Sequence, residues 1–293
     1  MKELVLVHGR AQQGYDADKL KQKWIDSWKV GLEKSNLEMP ITEEQIRFPY
    51  YGDTLAGLEN DVPLDEVAEV IVRGEDASEA EREFIRGVIL DTLKQNGISD
   101  EKIQKLSPQP IVERGPLNWE WVQTALRALD HYVPYASSTT VALRTRDVYI
   151  YLNNPAFRKK INDGVESAFN KDVETVVVGH SLGSVVAYDV LRKTGDTNNW
   201  TVPLYMTLGS PLAVTAIKQA LRPIDHPSCV SKWFNAMDER DIVPLYALDS
   251  ENFDVTPPIE NKTDVDNFTD NHHGIIGYLS DAEVAKRLHE ALR

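Results

Sequence analysis

The sequence predicts an α/β protein built on a mostly parallel sheet, and three features point that way. Two short β-branched runs, Leu4 to Val7 and Thr175 to Val178, each lead through a tight turn into a helix-periodic segment. A third run, Leu204 to Leu208, passes through Gly209-Ser210-Pro211 into another helix. The run at 175 ends in Gly179-His180-Ser181-Leu182-Gly183, a Gly-x-Ser-x-Gly turn of the kind that joins a buried strand to a helix. Glycine suits both flanks because a chain reversing this sharply brings backbones too close for a Cβ.

Leu4 to Val7 has no polar residue and reads as a strand buried on both faces, leaving through His8-Gly9-Arg10-Ala11. Leu20, Trp24, Trp28 and Leu32, spaced by four, mark one face of the helix that follows. Ile46 to Tyr51 is the next expected strand, ended by Gly52-Asp53. Residues 54–145 then break the strand–helix rhythm. Helices are expected there from Leu64 to Arg73, from Ala77 to Asn96 and from Trp119 to Tyr132, closed by Gly74, Gly97 and Pro134. Phe84, Ile85, Val88, Ile89 and Leu93 form the apolar stripe of the second. No repeat or low-complexity linker sets this block apart. It is therefore expected to be a helical, lid-like insertion in a single domain whose core is 1–53 and 146–293. Trp119, Trp121, Tyr132 and Tyr135 either line an acyl pocket or pack the insertion, and packing is the preferred reading.

Asp147 to Leu152 fits either a short strand or a helix end, since the run fixes no period. Asn154-Pro155 opens a helix with Phe157, Ile161, Val165 and Phe169 on one side. Val230 to Ala236 is the last expected strand. A polar loop follows to Asp270, and Ser280-Asp281-Ala282-Glu283 supplies a capping box for the terminal helix.

The net charge of −14, from 32 basic and 46 acidic residues, argues against nucleic acid or an anionic membrane as partner. The single Cys229 can form no internal disulfide, and its place beside Val230 predicts a buried structural thiol. No apolar run is long enough to cross a bilayer, and Leu4 to Val7 is too short for a signal-peptide core. A cytoplasmic chain without stable membrane insertion is the expectation. Nothing in the sequence sets an oligomeric state. Asp264-x-Asp266, close to His272-His273, fails the calcium-loop pattern because Phe268 takes the fifth position and no glycine the sixth. Zinc-helix, dinucleotide and phosphate-loop signatures are missing as well, so neither metal nor cofactor is expected.

A serine hydroxyl needs a base within hydrogen-bond reach, and the base needs a carboxylate to fix its tautomer. The candidates run in chain order: Ser181, then Asp238 or Asp241, then His272 or His273. In an open parallel sheet such groups belong on loops leaving the carboxyl ends of the strands.

Together Val7-His8-Gly9-Arg10, the serine turn, Asp238-x-x-Asp241-x-Val243 and His273-x-x-x-Gly277-Tyr278-Leu279 resemble the α/β-hydrolase superfamily. The likeness is nearest to bacterial lipase- or esterase-like members whose acid follows a strand such as Trp233-Phe234-Asn235. It covers 1–53 and 146–293 and implies a sheet lacking the family's first two strands. By resemblance Ser181 is the nucleophile, Asp241 the orienting acid and His273 the general base, with Asp238 and His272 as alternates. The same resemblance gives the oxyanion hole to the backbone N–H groups of Leu182 and Arg10, and makes His8 and His180 turn-shaping residues. The expected function is cleavage of a small-molecule or acyl carboxylic ester through an acyl-enzyme. Thioesterase, amidase and serine peptidase activity remain open on the same residues. A non-catalytic binding or signalling module with the same fold is the alternative class, and the complete set of nucleophile, acid, base and oxyanion glycine stands against it.

Overall fold

The computed structural model describes residues 2–9, 16–51, 78–107, 119–133 and 138–293. Arg10, the turn at Gly52-Asp53, the expected helix from Leu64 to Arg73, Tyr135 and the side chain of Trp119 lie outside the described residues. The strands are β1 (Glu3–Val7), β2 (Ile46–Arg47), β3 (Thr175–His180), β4 (Tyr205–Leu208), β5 (Trp233–Ala236) and β6 (Glu260–Lys262). They form one six-stranded sheet in the order β2-β1-β3-β4-β5-β6, with every described pairing parallel. The chain is an α/β protein.

Alternation along the strands sorts the core into two layers. Leu4, Leu6, Val176, Val178 and Met206 face α1 (Ala17–Glu33) and the C-terminal α10 (Ala282–Leu292), meeting Trp24, Trp28, Val284 and Leu288. Val5, Val7 and Val177 face the other way, onto α6 (Pro155–Glu166) and α7 (Leu182–Thr194). A separate apolar cluster joins Ile85, Ile89 and Leu93 of α2 (Glu79–Gln95) to Trp121, Val122 and Leu126 of α4 (Trp119–Tyr132). Between those two helices runs the short α3 (Asp100–Gln104), and α5 (Ser138–Asn153) precedes α6. The remaining helices are α8 (Thr215–Ala220) and α9 (Ile275–Leu279). Among the described residues no helix is long and apolar enough to cross a membrane.

Several elements differ from expectation, each for a local reason. The strand at Ile46 stops after Arg47 because Pro49 has no N–H for a ladder, and the chain bends onto His8 instead. There the His8 ring stacks on Tyr51 at 4.0 Å and accepts the Tyr51 N–H at 3.1 Å. Asp147 to Leu152 belongs to α5, where Val148 and Tyr151 turn inward. β5 begins only at Trp233, while Val230 makes an isolated bridge to Val202. The supposed loop contains β6, an edge strand of polar residues whose Asn261 accepts the Asn235 side chain at 2.9 Å. The cap of the terminal helix is Asp281 and not Ser280: its carboxylate accepts the N–H groups of Glu283 and Val284 at 2.9 and 3.0 Å. Cys229 is half-buried, with its thiol donating to Leu191 O at 3.6 Å and pushed up to about 11 by burial.

Candidate active site

The chain moves from β1 to one side of the sheet and from β3 to the other, so the strand order reverses between these two neighbours. In an open parallel sheet the crevice outside the carboxyl ends at such a reversal is where ligands bind. His8-Gly9 leaves β1 at that point and Ser181 leaves β3.

Ser181 has φ of 55° and ψ of −129°, a conformation that side-chain-bearing residues rarely adopt. It persists because its surroundings over-determine it. The Ser181 N–H donates to Leu208 O at 3.1 Å, and the Ser184 N–H and hydroxyl donate to Ser181 O at 2.9 and 2.6 Å. Leu182 opens α7, so its amide is among the first four of the helix, which have no i−4 partner.

Asp241 and His273 meet. The His273 Nδ1–H donates to Asp241 Oδ2 at 2.6 Å, and the Tyr278 hydroxyl donates to the same oxygen at 2.6 Å. The Val243 N–H donates to Oδ1 at 2.9 Å. Burial pushes the Asp241 carboxyl upward, and the donors from Tyr278 and Val243 pull it back toward the ionised form. His180 donates from Nε2 to the His273 carbonyl at 2.8 Å, while Gly209 lies under the ring, where a Cβ would stand 3.1 Å from Nδ1. The His180 ring also stands 4.7 Å from the His273 ring, so the imidazole lies between the side chain that precedes Ser181 and the backbone of Gly209, which follows Leu208, the acceptor of the Ser181 N–H. Burial, then the positive charge of Arg144, holds His273 well below the ordinary histidine range.

The two alternates sit in another arrangement. Asp238 accepts the Arg240 Nη2 and backbone N–H at 2.8 Å each and the Asn267 N–H at 2.8 Å. Burial acts to raise its carboxyl, but Arg240 and Asn267 bring it below the usual range. His272 donates from Nδ1 to Asn267 O at 2.7 Å, and that nitrogen stands 3.8 Å from Asp238 Oδ2. His8 is a satisfied ring: Nδ1 donates to Gly9 O at 2.7 Å, Nε2 accepts from Tyr51, and burial depresses it to about 4. Asp264 pairs with Lys262 at 2.7 Å and Asp266 with Arg240 at 2.6 Å. Among the described residues no group of His, Cys, Asp and Glu is placed to hold a metal.

Ser181 Oγ and His273 Nε2 share no hydrogen bond. Nε2 is buried without a partner among the described residues, and Ser181 Oγ accepts from Arg144 Nη1 at 2.9 Å. Beside the serine is a narrow apolar cavity of about 30 Å³, walled by Val88, Arg144, Val148, Leu182, Ile217 and Ile242 among others. That is room for a water or two. Of the four aromatic residues named for the insertion, the two described side chains do not line it: Trp121 is buried between α2 and α4, and Tyr132 packs on the same cluster.

Two residues in contact with this group are given no role by the sequence motifs. Tyr278 stands inside the Gly-Tyr-Leu signature, which gives it no role. Arg144 belongs to no motif, yet Val141, Arg144, Thr145 and Val148 fall at helical spacing on the buried face of α5, and a cation on an apolar stripe is the available signal. Compared with known proteins, the chain matches no family model, no curated protein and no solved structure.

Proposed function

We propose that this chain is a serine hydrolase of the α/β-hydrolase type that cleaves carboxylic esters. What carries the reading is the conjunction of a serine in a strained strand-to-helix turn at the sheet's reversal point with a 2.6 Å His273–Asp241 hydrogen bond beside it. Ser181 Oγ attacks the acyl carbon and its proton passes to His273 Nε2. The carbonyl electron pair moves onto oxygen, facing the Leu182 N–H and, by resemblance, that of Arg10. Collapse expels the alkoxide, which takes the proton from His273. Water, deprotonated by the same nitrogen, then frees the acid. Asp241, kept in place by Tyr278 and Val243, keeps Nδ1 protonated and Nε2 free to accept.

The missing Ser181–His273 bond does not exclude this chemistry, because such contacts are often long before substrate binds. The helical insertion of 54–145, seen in α2 to α4, acts in this reading as substrate selector and lid, since a cavity of about 30 Å³ admits no acyl chain unless it opens. A cytoplasmic setting fits the single Cys229. A non-catalytic binding module draws on one observation, the Arg144 contact to Ser181 Oγ.

A fluorophosphonate probe separates the two. The folded protein is expected to gain one adduct, mapping to Ser181, and to turn over p-nitrophenyl esters, with chain length, a thioester and an amide compared alongside. A folded protein that takes no adduct and hydrolyses none of them sinks the enzyme reading.

The electrostatics predict the pH dependence. The base works as neutral imidazole, and burial with Arg144 depresses the His273 pKa. Activity is therefore lost only as pH falls through that depressed value. The acid limb of kcat/KM is expected clearly below the free-histidine value of about 6.5. An inflection at or above that value contradicts the assignment.

A further inference from the structure

Within the serine-hydrolase reading, which any catalytic role for Arg144 presupposes, a positive charge at the nucleophile still lacks a purpose. Arg144 is half-buried, lines the cavity together with Ser181 and Leu182, and donates to Ser181 Oγ at 2.9 Å. Its position is built into the fold. Seven residues later, about two helical turns along the same face, Tyr151 donates to Asn162 Oδ1 at 2.7 Å and to Asp189 Oδ2 at 3.2 Å. Asp189 lies eight residues beyond Ser181 on α7, fully buried, and receives Arg158 Nε at 2.7 Å, Asn162 Nδ2 at 3.1 Å and Lys193 as an ion pair at 3.0 Å. Helix α5 is thus laid alongside α7 in parallel and fastened at two points, Arg144 on Ser181 and Tyr151 on Asp189. A guanidinium carried this way is a resident of the site.

We infer that Arg144 is a catalytic residue, a side-chain donor that stabilises the anion formed when Ser181 attacks. As the Oγ–C bond forms, the Oγ proton goes to His273 and the carbonyl pair goes to oxygen. That oxygen is bonded to the same carbon as Oγ, within reach of a donor resting 2.9 Å from Oγ. Once Oγ is acylated it is a poor acceptor, and the guanidinium, with five N–H donors, turns to the oxyanion. The charge also favours removal of the serine proton. It accounts too for part of the depression of His273, which keeps the base neutral. Asp147, one turn along α5, lines the same cavity and is buried. A carboxylate there disfavours the rival idea that Arg144 receives an anionic group of the substrate.

The test uses a neutral ester, p-nitrophenyl acetate, so that no substrate anion is present. Arg144→Ala is expected to lower kcat by about 10²–10³, the usual cost of one oxyanion donor, with KM little changed. Arg144→Gln, closer in size, guards against loss of packing, and both variants are checked by circular dichroism. Added guanidinium at non-denaturing concentration should restore part of kcat in Arg144→Ala. The acid limb of the pH profile should move upward once the charge is gone. A merely structural role gives neither response. Fluorophosphonate should still label Ser181 in both variants. If wild type labels and both folded variants hydrolyse the neutral ester within a small factor of it, Arg144 is not catalytic. A loss confined to KM for carboxylate-bearing esters overturns the inference in favour of substrate recognition. If wild type itself neither labels nor hydrolyses, the serine-hydrolase reading falls first and takes this inference with it.

Discussion

Ser181→Ala should lower kcat/KM for a neutral ester by about 10⁶, and Asp241→Asn by about 10⁴. In the proposed reading the first removes the nucleophile. The second keeps the shape and alters one proton, and the surroundings of Asp241 say why that is so costly. Three donors converge on its carboxylate: His273 Nδ1 and the Tyr278 hydroxyl on Oδ2, and the Val243 N–H on Oδ1. An asparagine must turn its NH₂ toward one of those oxygen positions. Placed at Oδ1 it faces the Val243 N–H, donor against donor. Placed at Oδ2 it donates to His273 Nδ1, which moves the ring proton to Nε2 and leaves nothing to accept from Ser181. Tyr278 offers little escape, because its hydroxyl already accepts the Asp238 N–H at 3.2 Å. Steady-state kinetics on p-nitrophenyl acetate, with circular dichroism to confirm folding, measures both variants. Asp241→Asn within a small factor of wild type would remove Asp241 from the reaction, and Asp238→Asn is the comparison that shows whether the other carboxylate acts instead.

Those outcomes bear on residues that the sequence ranks but does not separate. Asp238 and Asp241 lie three apart, and His272 and His273 are neighbours, so spacing alone permits either pairing. The structure distinguishes them through partners remote in sequence. Arg240 and the Asn267 N–H occupy Asp238, whereas Tyr278 and His273 occupy Asp241. The buried layers are legible because apolar periodicity is the dominant local signal: β1, the Trp24–Trp28 face of α1 and α4 lie where the pattern places them. Where the local signal is weak, the reading fails in a physically consistent way. β6 is Glu-Asn-Lys at a sheet edge, with no apolar alternation to announce it. Ser280 and Asp281 are both good caps, and only the direction in which the chain enters α10 selects the aspartate. Arg144 reaches Ser181 across 37 residues by the packing of α5 on α7, a contact no motif encodes.

The largest expected effect on stability is at Gly183. A Cβ there would stand 2.5 Å from His8 O and closer still to Val7 O, so the elbow of β3 sits on the bare backbone of β1. Neither carbonyl can move freely, since Val7 is in register with Gly179 of β3 and His8 O accepts the Tyr51 hydroxyl. Gly183→Ala is expected to cost about 3 kcal/mol, the upper part of the usual range for overpacking. The displaced turn should also lower kcat by about 10², the cost of misplacing a reacting group by roughly 1 Å. Gly164 supplies the control. It lies inside α6, a Cβ there would meet nothing within 4 Å, and replacing glycine by alanine in a helix interior gains about 0.5–1 kcal/mol. Urea midpoints for the two variants should therefore move in opposite directions, with ester turnover falling only in the first. If Gly183→Ala keeps both its midpoint and its turnover, β1 and the serine turn are not in the contact that positions Ser181, and the site loses its support from below.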